Sequence, residues 1–557
     1  MLAMRSLLVI FSTIGLAQSA TFPRKTLVNG VVEGFCLIDS PVQVNAFLGV
    51  PFAEPPVRFE KPLPKNNWSG VLATKTQPNM CTQVTGAANS EDCLYLNVYA
   101  PAVAPSAALN KDSCTHGLPV FVVVHGGAFA TGSAQEGAPE HIARYLAAKG
   151  IVVVAIQYRV GPLGFCTTKD SAMPGNYGMW DAKIAFEWVR DNIAAFGGNP
   201  NDVTAYGGSA GAALIDGMHL SPLTTSDDHL FHKMVLFSGA ARDMWDAHTT
   251  EHCEERATAI GLSWTDSASF KSALLSANAA DLAGGWQVIG EENFDYLLCG
   301  EHGISSTIGN ADSKKSTHSD WAPVLDGDFF PSTPAAMRAA TQPKPSIFGN
   351  YFASCFFGVD GAATQHKPSF FGISFLEGAG MSGAITIDHT TVEKIVDFMV
   401  PATIANRSLF QSYFLESYRN QGQILEPTAI DKHAMMAVNV FKHFNPAPIG
   451  GLYPFISYAT HSFDQWYSLG LPGFTLNTAD QIVIDIYTTA LVNFAKTGNP
   501  NGSSASALPV PWVAATAQNP SLNYVIETTP SMDAQFFYGR PNLNNILNKI
   551  GGTFKPV

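Results

Sequence analysis

Gly207-Gly208-Ser209-Ala210-Gly211 constrains this chain more than any other stretch, because it sets a serine among glycines, after a strand-like run and before a helix-like one. The pattern G-x-S-x-G specifies a strand-to-helix turn too tight for side chains at its flanking positions. Its serine is held in a strained conformation with the hydroxyl raised into a pocket. Residues 202–206 (D-V-T-A-Y) read as the strand and 210–215 (A-G-A-A-L-I) as the first turns of the helix. In a chain with 48 glycines the match carries weight only with partners, and one is present. Residues 118–124 (L-P-V-F-V-V-V) form a second buried strand that runs into His125-Gly126-Gly127-Ala128-Phe129. A glycine-rich loop in that position can turn backbone N–H groups toward a developing oxyanion.

Three further stretches belong with the elbow: A-F-L-G-V-P-F-A-E-P-P at 46–56, S-E-D-C-L-Y-L-N-V at 90–98 and F-G-G-N-P at 196–200. With them, nearly the whole chain resembles the type-B carboxylesterases, the group that includes the cholinesterases. The resemblance implies an α/β-hydrolase fold, α/β in class, with a large, mostly parallel central sheet flanked by helices. It also implies oxyanion donors at the N–H groups of Gly127, Ala128 and Ala210, and a disulfide between Cys81 and Cys93. The family's second bridge is lost, since Leu262 and Ala273 fall where its cysteines would be. Arg58-Phe59 and Glu91 resemble a family salt bridge that pins the N-terminal lobe and has no catalytic role.

Acyl transfer from a serine needs a histidine base and a carboxylate to orient it, in the chain order serine, acid, histidine for this fold. Fifteen histidines and 45 acidic residues leave the choice open on composition alone. Residues 458–467 (Y-A-T-H-S-F-D-Q-W-Y) look like the family's G-A-x-H loop, which points to His461 as base, with Tyr458 in place of the usual glycine. Residues 370–378 (F-F-G-I-S-F-L-E-G) resemble the strand and turn that carry the family's glutamate, preceded by a matching segment at 323–329. Glu377 is therefore the expected acid, and Asp388, without the strand-then-turn setting, is its substitute. His433 and His443 lie in an amphipathic, helix-like stretch and read as ordinary solvated or half-buried positions. The candidate parts run from residue 125 to 461 and must meet in one site, so residues 20–557 read as one large domain.

Residues 344–352 (K-P-S-I-F-G-N-Y-F) and 367–375 (K-P-S-F-F-G-I-S-F) match at six of nine positions with an offset of 23. Ser354 stands in the first copy where the second has Glu377, and a serine cannot carry the charge that stabilises an imidazolium. The second copy is therefore expected to hold the strand that presents the acid, and the first to be displaced as an insertion.

The first nineteen residues combine a short basic start, an apolar run from Ser6 to Leu16 and a small-residue site at Ala17-Gln18-Ser19. They read as a secretory signal, too short to span a bilayer. No other stretch has the length of a membrane helix, so a secreted, extracellular or luminal protein without a membrane anchor is expected. Sequons at Asn67, Asn406 and Asn501 accord with glycosylation. A net charge of −13 without a basic run argues against nucleic-acid partners. Beyond Cys81 and Cys93, the pairing of Cys36, Cys114, Cys166, Cys253, Cys299 and Cys355 is open, with fifteen possibilities. No His/Cys pattern has metal spacing, and neither metal nor cofactor is expected.

Substrate signals are fewer. Cholinesterases hold a quaternary ammonium on a tryptophan in the first disulfide loop, and residues 82–92 of this chain contain no aromatic residue. Their elbow has a glutamate before the serine, and here that position is Gly208. A small to medium apolar ester is expected as substrate, with an acylglycerol lipase as the near alternative. A catalytically silent adhesion or binding ectodomain on the same fold is the alternative from another class.

Overall fold

The computed structural model describes residues 22–83, 89–102, 117–225, 230–237, 239, 241, 249–283, 321–341, 344, 346–349, 436–441, 463–470, 476–503, 508–514 and 523–533. Among these, eleven strands make one sheet: β1 (Phe35–Ile38), β2 (Val44–Pro51), β3 (Tyr95–Pro101), β4 (Leu118–Val124), β5 (Val152–Ile156), β6 (Gly198–Gly208), β7 (Lys233–Phe237), β8 (Ser346–Gly349), β9 (Met436–Phe441), β10 (Asn523–Ile526) and β11 (Ser531–Asp533). Their spatial order is β11-β10-β9-β8-β7-β6-β4-β5-β3-β2-β1. The six pairings from β5 across to β10 are parallel, and the four at the two ends are antiparallel. The α/β class holds, with a sheet more mixed than the expected one.

Helices cover both faces, which is why β4 and β5 read as unbroken apolar runs rather than alternating ones. Val120, Val122 and Val124 of β4 join one core together with α2 (Tyr177–Asn192) and α3 (Ala210–Leu220). Phe121 and Val123, turned the other way by the period of two, join a second core with α1 (Pro139–Tyr145) and the long C-terminal helix Thr478–Thr497. Further helices are α4 (Thr249–Ala259), α5 (Ser267–Ser276), α6 (Pro334–Ala340) and α7 (Phe463–Ser468), and the long helix is α8. Its limits follow from capping: Asn477 and Asp480 exchange side-chain-to-backbone hydrogen bonds at the start, and Gly498 ends it at φ 70°.

Two expectations are corrected. The first repeat copy is not displaced, because Ser346 to Gly349 is hydrogen-bonded between β7 and β9. A slot formed by backbone pairing accepts K-P-S-I-F-G as readily as K-P-S-F-F-G, so the motif alone does not choose a copy. The second copy lies outside the described residues. The helix-like reading around residue 436 also fails, since M-A-V-N-V-F pairs as β9. Short apolar runs do not separate a period of 2 from one of 3.6, and β-branched and aromatic content favours the strand. His433 and His443 are outside the described residues.

Two ion pairs brace the N-terminal lobe. Arg58 donates to both oxygens of Glu91 at 2.6 and 2.7 Å and to the carbonyls of Leu274 and Ala277, which closes the end of α5. Arg159 forms a fork with Asp181 of α2 at 2.7 Å on each arm and also donates to the carbonyls of Val57 and Glu60. Asp181 is wholly buried and Arg159 nearly so. Removing one partner of such a pair strands the other charge out of water. Asp181→Asn is expected to lower unfolding free energy by about 3–5 kcal/mol, read from the chemical-denaturation midpoint, whereas the exposed pair Lys61 and Asp328 is expected to cost under about 1 kcal/mol when broken.

Candidate active site

Strand register brings the two glycine-rich segments together. β4 and β6 are neighbours, with Tyr206 opposite Val123 and Gly207 opposite Val124, so both chains leave the sheet at the same level. β6 turns directly into α3 through Ser209, which takes φ 54° and ψ −127°. A non-glycine residue there costs on the order of 1–3 kcal/mol and persists only where its surroundings hold it. The Ser209 N–H donates to the Phe237 carbonyl at 2.8 Å, and its own carbonyl accepts from Ala213 at 3.0 Å.

The glycines are there for space. A Cβ at Gly207 would lie 2.5 Å from the Gly211 carbonyl carbon, and one at Gly211 would lie 2.3 Å from the Val124 oxygen. At Gly126 it would stand 3.2 Å from the Ser209 Cβ, and at Gly239 only 2.1 Å from the Ser209 oxygen. The loop after β4 and the segment after β7 therefore both press backbone against the elbow. Gly127, Ala128 and Phe129 follow one another at φ 101°, 54° and 56°. Hydrogen bonds from Ala130 and Thr131 to the Gly127 carbonyl, and from Gly161 to that of Phe129, hold this left-handed run. Ala210, the first residue of α3, has an N–H that no intrahelical carbonyl can accept.

His125 is the histidine closest in sequence to this loop, and its surroundings suit it to structure rather than proton transfer. Its ring stacks on Tyr158 at 4.2 Å, and Nδ1 lies 2.9 Å from the Gly126 carbonyl. Burial pushes its pKa down to about 4, so it is neutral at neutral pH.

Ser209, Ala210, Gly127 and Ala128 thus lie in the two segments that the fold brings together. Glu377, Asp388 and His461 are outside the described residues. Helix α7 begins two residues beyond His461 in sequence, and it docks on the elbow. Ser468 is 2.7 Å from the Tyr206 hydroxyl of β6, and Gln465 packs its amide nitrogen on Gly208, where a Cβ would come within 1.5 Å of it. Gln465 thus fills the volume that a side chain at position 208 would occupy, with a neutral amide. Nothing in the sequence links these two positions, although Gly208 in place of the glutamate of cholinesterases marks a space that something must fill.

Cys81 and Cys93 form the expected disulfide, and Cys166 and Cys253 form a second one that spacing alone could not assign. Of the sequons, Asn67 is exposed. The Asn501 amide donates to and accepts from the Trp512 backbone at 2.8 and 2.7 Å, and Asn406 is outside the described residues. Among the described residues, no group of three or more His, Cys, Asp or Glu is placed to hold a metal, and no helix is long and apolar enough to cross a membrane.

Comparison with known proteins accords with this geometry. The model of the carboxylesterase family matches residues 23–542. An esterase of Caenorhabditis elegans, cest-33, is 28% identical over 554 residues, covering 94% of this chain and 93% of its own. Human carboxylesterase 3 is 44% identical over 214 residues, 35% of each chain. The acetylcholinesterase of Bungarus fasciatus is 29% identical over 566 residues, covering 94% of this chain and 87% of its own. The chain belongs to the carboxylesterase family and is an enzyme of the carboxylic-ester hydrolase class.

Proposed function

We propose that this protein is a secreted serine esterase that hydrolyses small to medium apolar carboxylic esters through an acyl-enzyme, without a cofactor. The observation that carries the reading is the strained Ser209 elbow pressed against the Gly126 loop. In this mechanism Ser209 Oγ attacks the ester carbonyl while His461 takes its proton. The resulting oxyanion accepts hydrogen bonds from the N–H groups of Gly127, Ala128 and Ala210. His461 then protonates the departing alkoxide, leaving Ser209 acylated. Water attacks the acyl-enzyme by the same route and releases the carboxylic acid with the serine restored. Glu377 orients the imidazole and stabilises its charged form.

The choice of ester rests on neutrality. Gly208 and Gln465 place no charge beside the nucleophile, and the Cys81 to Cys93 loop offers no aromatic face to a quaternary ammonium. Secretion, with residues 20–557 as a single domain after the leader, is supported by that leader, by the two disulfides and by the exposed sequon at Asn67.

Fluorophosphonate labelling followed by assay of aryl and choline esters of graded acyl length tests the reading. Ser209→Ala is expected to abolish labelling and turnover at unchanged melting temperature, and butyryl or acetyl aryl esters to outrun the matching choline esters. Labelling that persists places the nucleophile elsewhere.

Activity is expected to fall as pH drops through about 6.5, the ordinary histidine value, because an imidazolium cannot accept the serine proton. Burial pushes Glu136 up to about 7, so Glu136→Gln is the control, and the acid limb should survive in it. A profile flat down to about pH 4 removes histidine as the base.

Deleting residues 344–366 lets the second repeat copy replace the first residue for residue, with Glu377 next in line. The shortened chain is expected to fold and to keep or improve its activity, while Glu377→Gln lowers turnover by about four orders of magnitude. A deletion that unfolds the protein, beside an active glutamine variant, transfers the role to Asp388.

A further inference from the structure

Helix α3 is apolar and buried from Ala210 onward, and Asp216 interrupts it with a carboxylate that is 2% exposed. Asp216 is seven residues beyond Ser209, so it lies on the same face of the helix, about 10 Å further along the axis. Its Oδ2 accepts from the Ala241 N–H at 2.9 Å and from Arg338 Nη2 of α6. Burial raises the pKa of this carboxyl. The Arg338 charge and hydrogen bond, the Ala241 N–H and the charge of His219 together outweigh burial and hold it below the ordinary aspartate value.

Ala241 belongs to the segment that leaves β7 past the nucleophile. Phe237 of that segment accepts the Ser209 N–H, and Gly239 packs directly on the Ser209 carbonyl. The same segment is then tied to α3 at Ala241. Nucleophile, helix and outgoing segment form a closed loop of contacts, and the Asp216 carboxylate is its fastening. A buried carboxylate with a partly exposed arginine is a costly way to fill this space if packing were its only purpose, because an apolar side chain would fill it without desolvating a charge.

We propose that Asp216, locked by Arg338, is a positioning residue for Ser209. By fixing Ala241 it keeps Phe237 and Gly239 against the elbow, and so keeps the serine in its strained, reactive conformation. The inference rests on Ser209 being the nucleophile, as proposed above.

The test compares full-length wild type with Asp216→Asn, Arg338→Gln, their double variant and Arg338→Lys. The rate of fluorophosphonate inactivation, kcat and KM for a butyryl aryl ester, and the melting temperature are measured for each. Each neutralising variant is expected to lose roughly 10–100-fold in both inactivation rate and kcat, with KM nearly unchanged, as a displaced reacting group does. The double variant should be no worse than the poorer single one, because both remove the same coupling. Arg338→Lys, which keeps the cation, should recover most of the loss. If Asp216→Asn fails to fold, the Arg338 variants carry the test, since that side chain is 29% exposed. Variants that melt earlier yet react with the fluorophosphonate at the wild-type rate, or that change KM alone, overturn the proposal. A wild type that does not label at all sinks the esterase reading instead.

Discussion

Backbone-to-backbone contact around one residue governs this architecture. At Ser209 the end of β6, the start of α3, the loop after β4 and the segment after β7 approach so closely that Gly207, Gly211, Gly126 and Gly239 have no room for a Cβ. Such an approach is possible only if the strands are in parallel register and leave the sheet at one level, which the Gly207 to Val124 and Gly208 to Phe237 pairings provide. The sheet order follows from the same need. β4 and β6 are adjacent because β5 is laid down on the far side of β4, so the strand order reverses between β4 and β6, the kind of position at whose carboxyl end sheets of this class bind ligands.

The strain at the elbow and in the 127–129 run is opposed by hydrogen bonds and by close backbone packing from neighbouring segments. Buried strands meet cores on both faces, and the buried carboxylates of Asp181 and Asp216 are both tied to an arginine. Arg159 holds Asp181 and two lobe carbonyls, and Asp216 holds a helix to a segment that touches Ser209. Donors fixed in place before a reaction need no rearrangement as charge develops, and this is the condition that the proposed oxyanion donors at Gly127, Ala128 and Ala210 would need.

How much of this a reader of the sequence can see depends on how local the cause is. The elbow, the β4 strand and its loop are set by neighbours in the chain, and they stand where the pattern puts them. The Cys81 to Cys93 bridge is visible through family likeness, whereas Cys166 and Cys253, 87 residues apart, meet only because α4 passes the end of the Gly161–Phe165 helical turn. β9 was hidden because six residues of mixed apolar pattern satisfy either period. Asp216 carries a signal of its own, a lone acid in an apolar helix, but its partner Arg338 lies 122 residues away. Gln465 is more remote still, and only the structure puts its amide on Gly208.

The cross-link between Cys166 and Cys253 also divides the molecule topologically. It encloses α2, β6, α3 and β7 in one covalent ring, and a ring of this length removes roughly 4–5 kcal/mol of conformational freedom from the unfolded chain. Ser209 belongs to that ring, while positions 377 and 461 belong to the open chain beyond it. Changes of length therefore fall unequally: an insertion between Cys166 and Cys253 enlarges the ring, whereas one beyond Cys253 leaves its size unchanged. The tandem copies at 344–352 and 367–375 lie beyond the ring. The covalent frame around the elbow is thus independent of how many copies the chain after it carries.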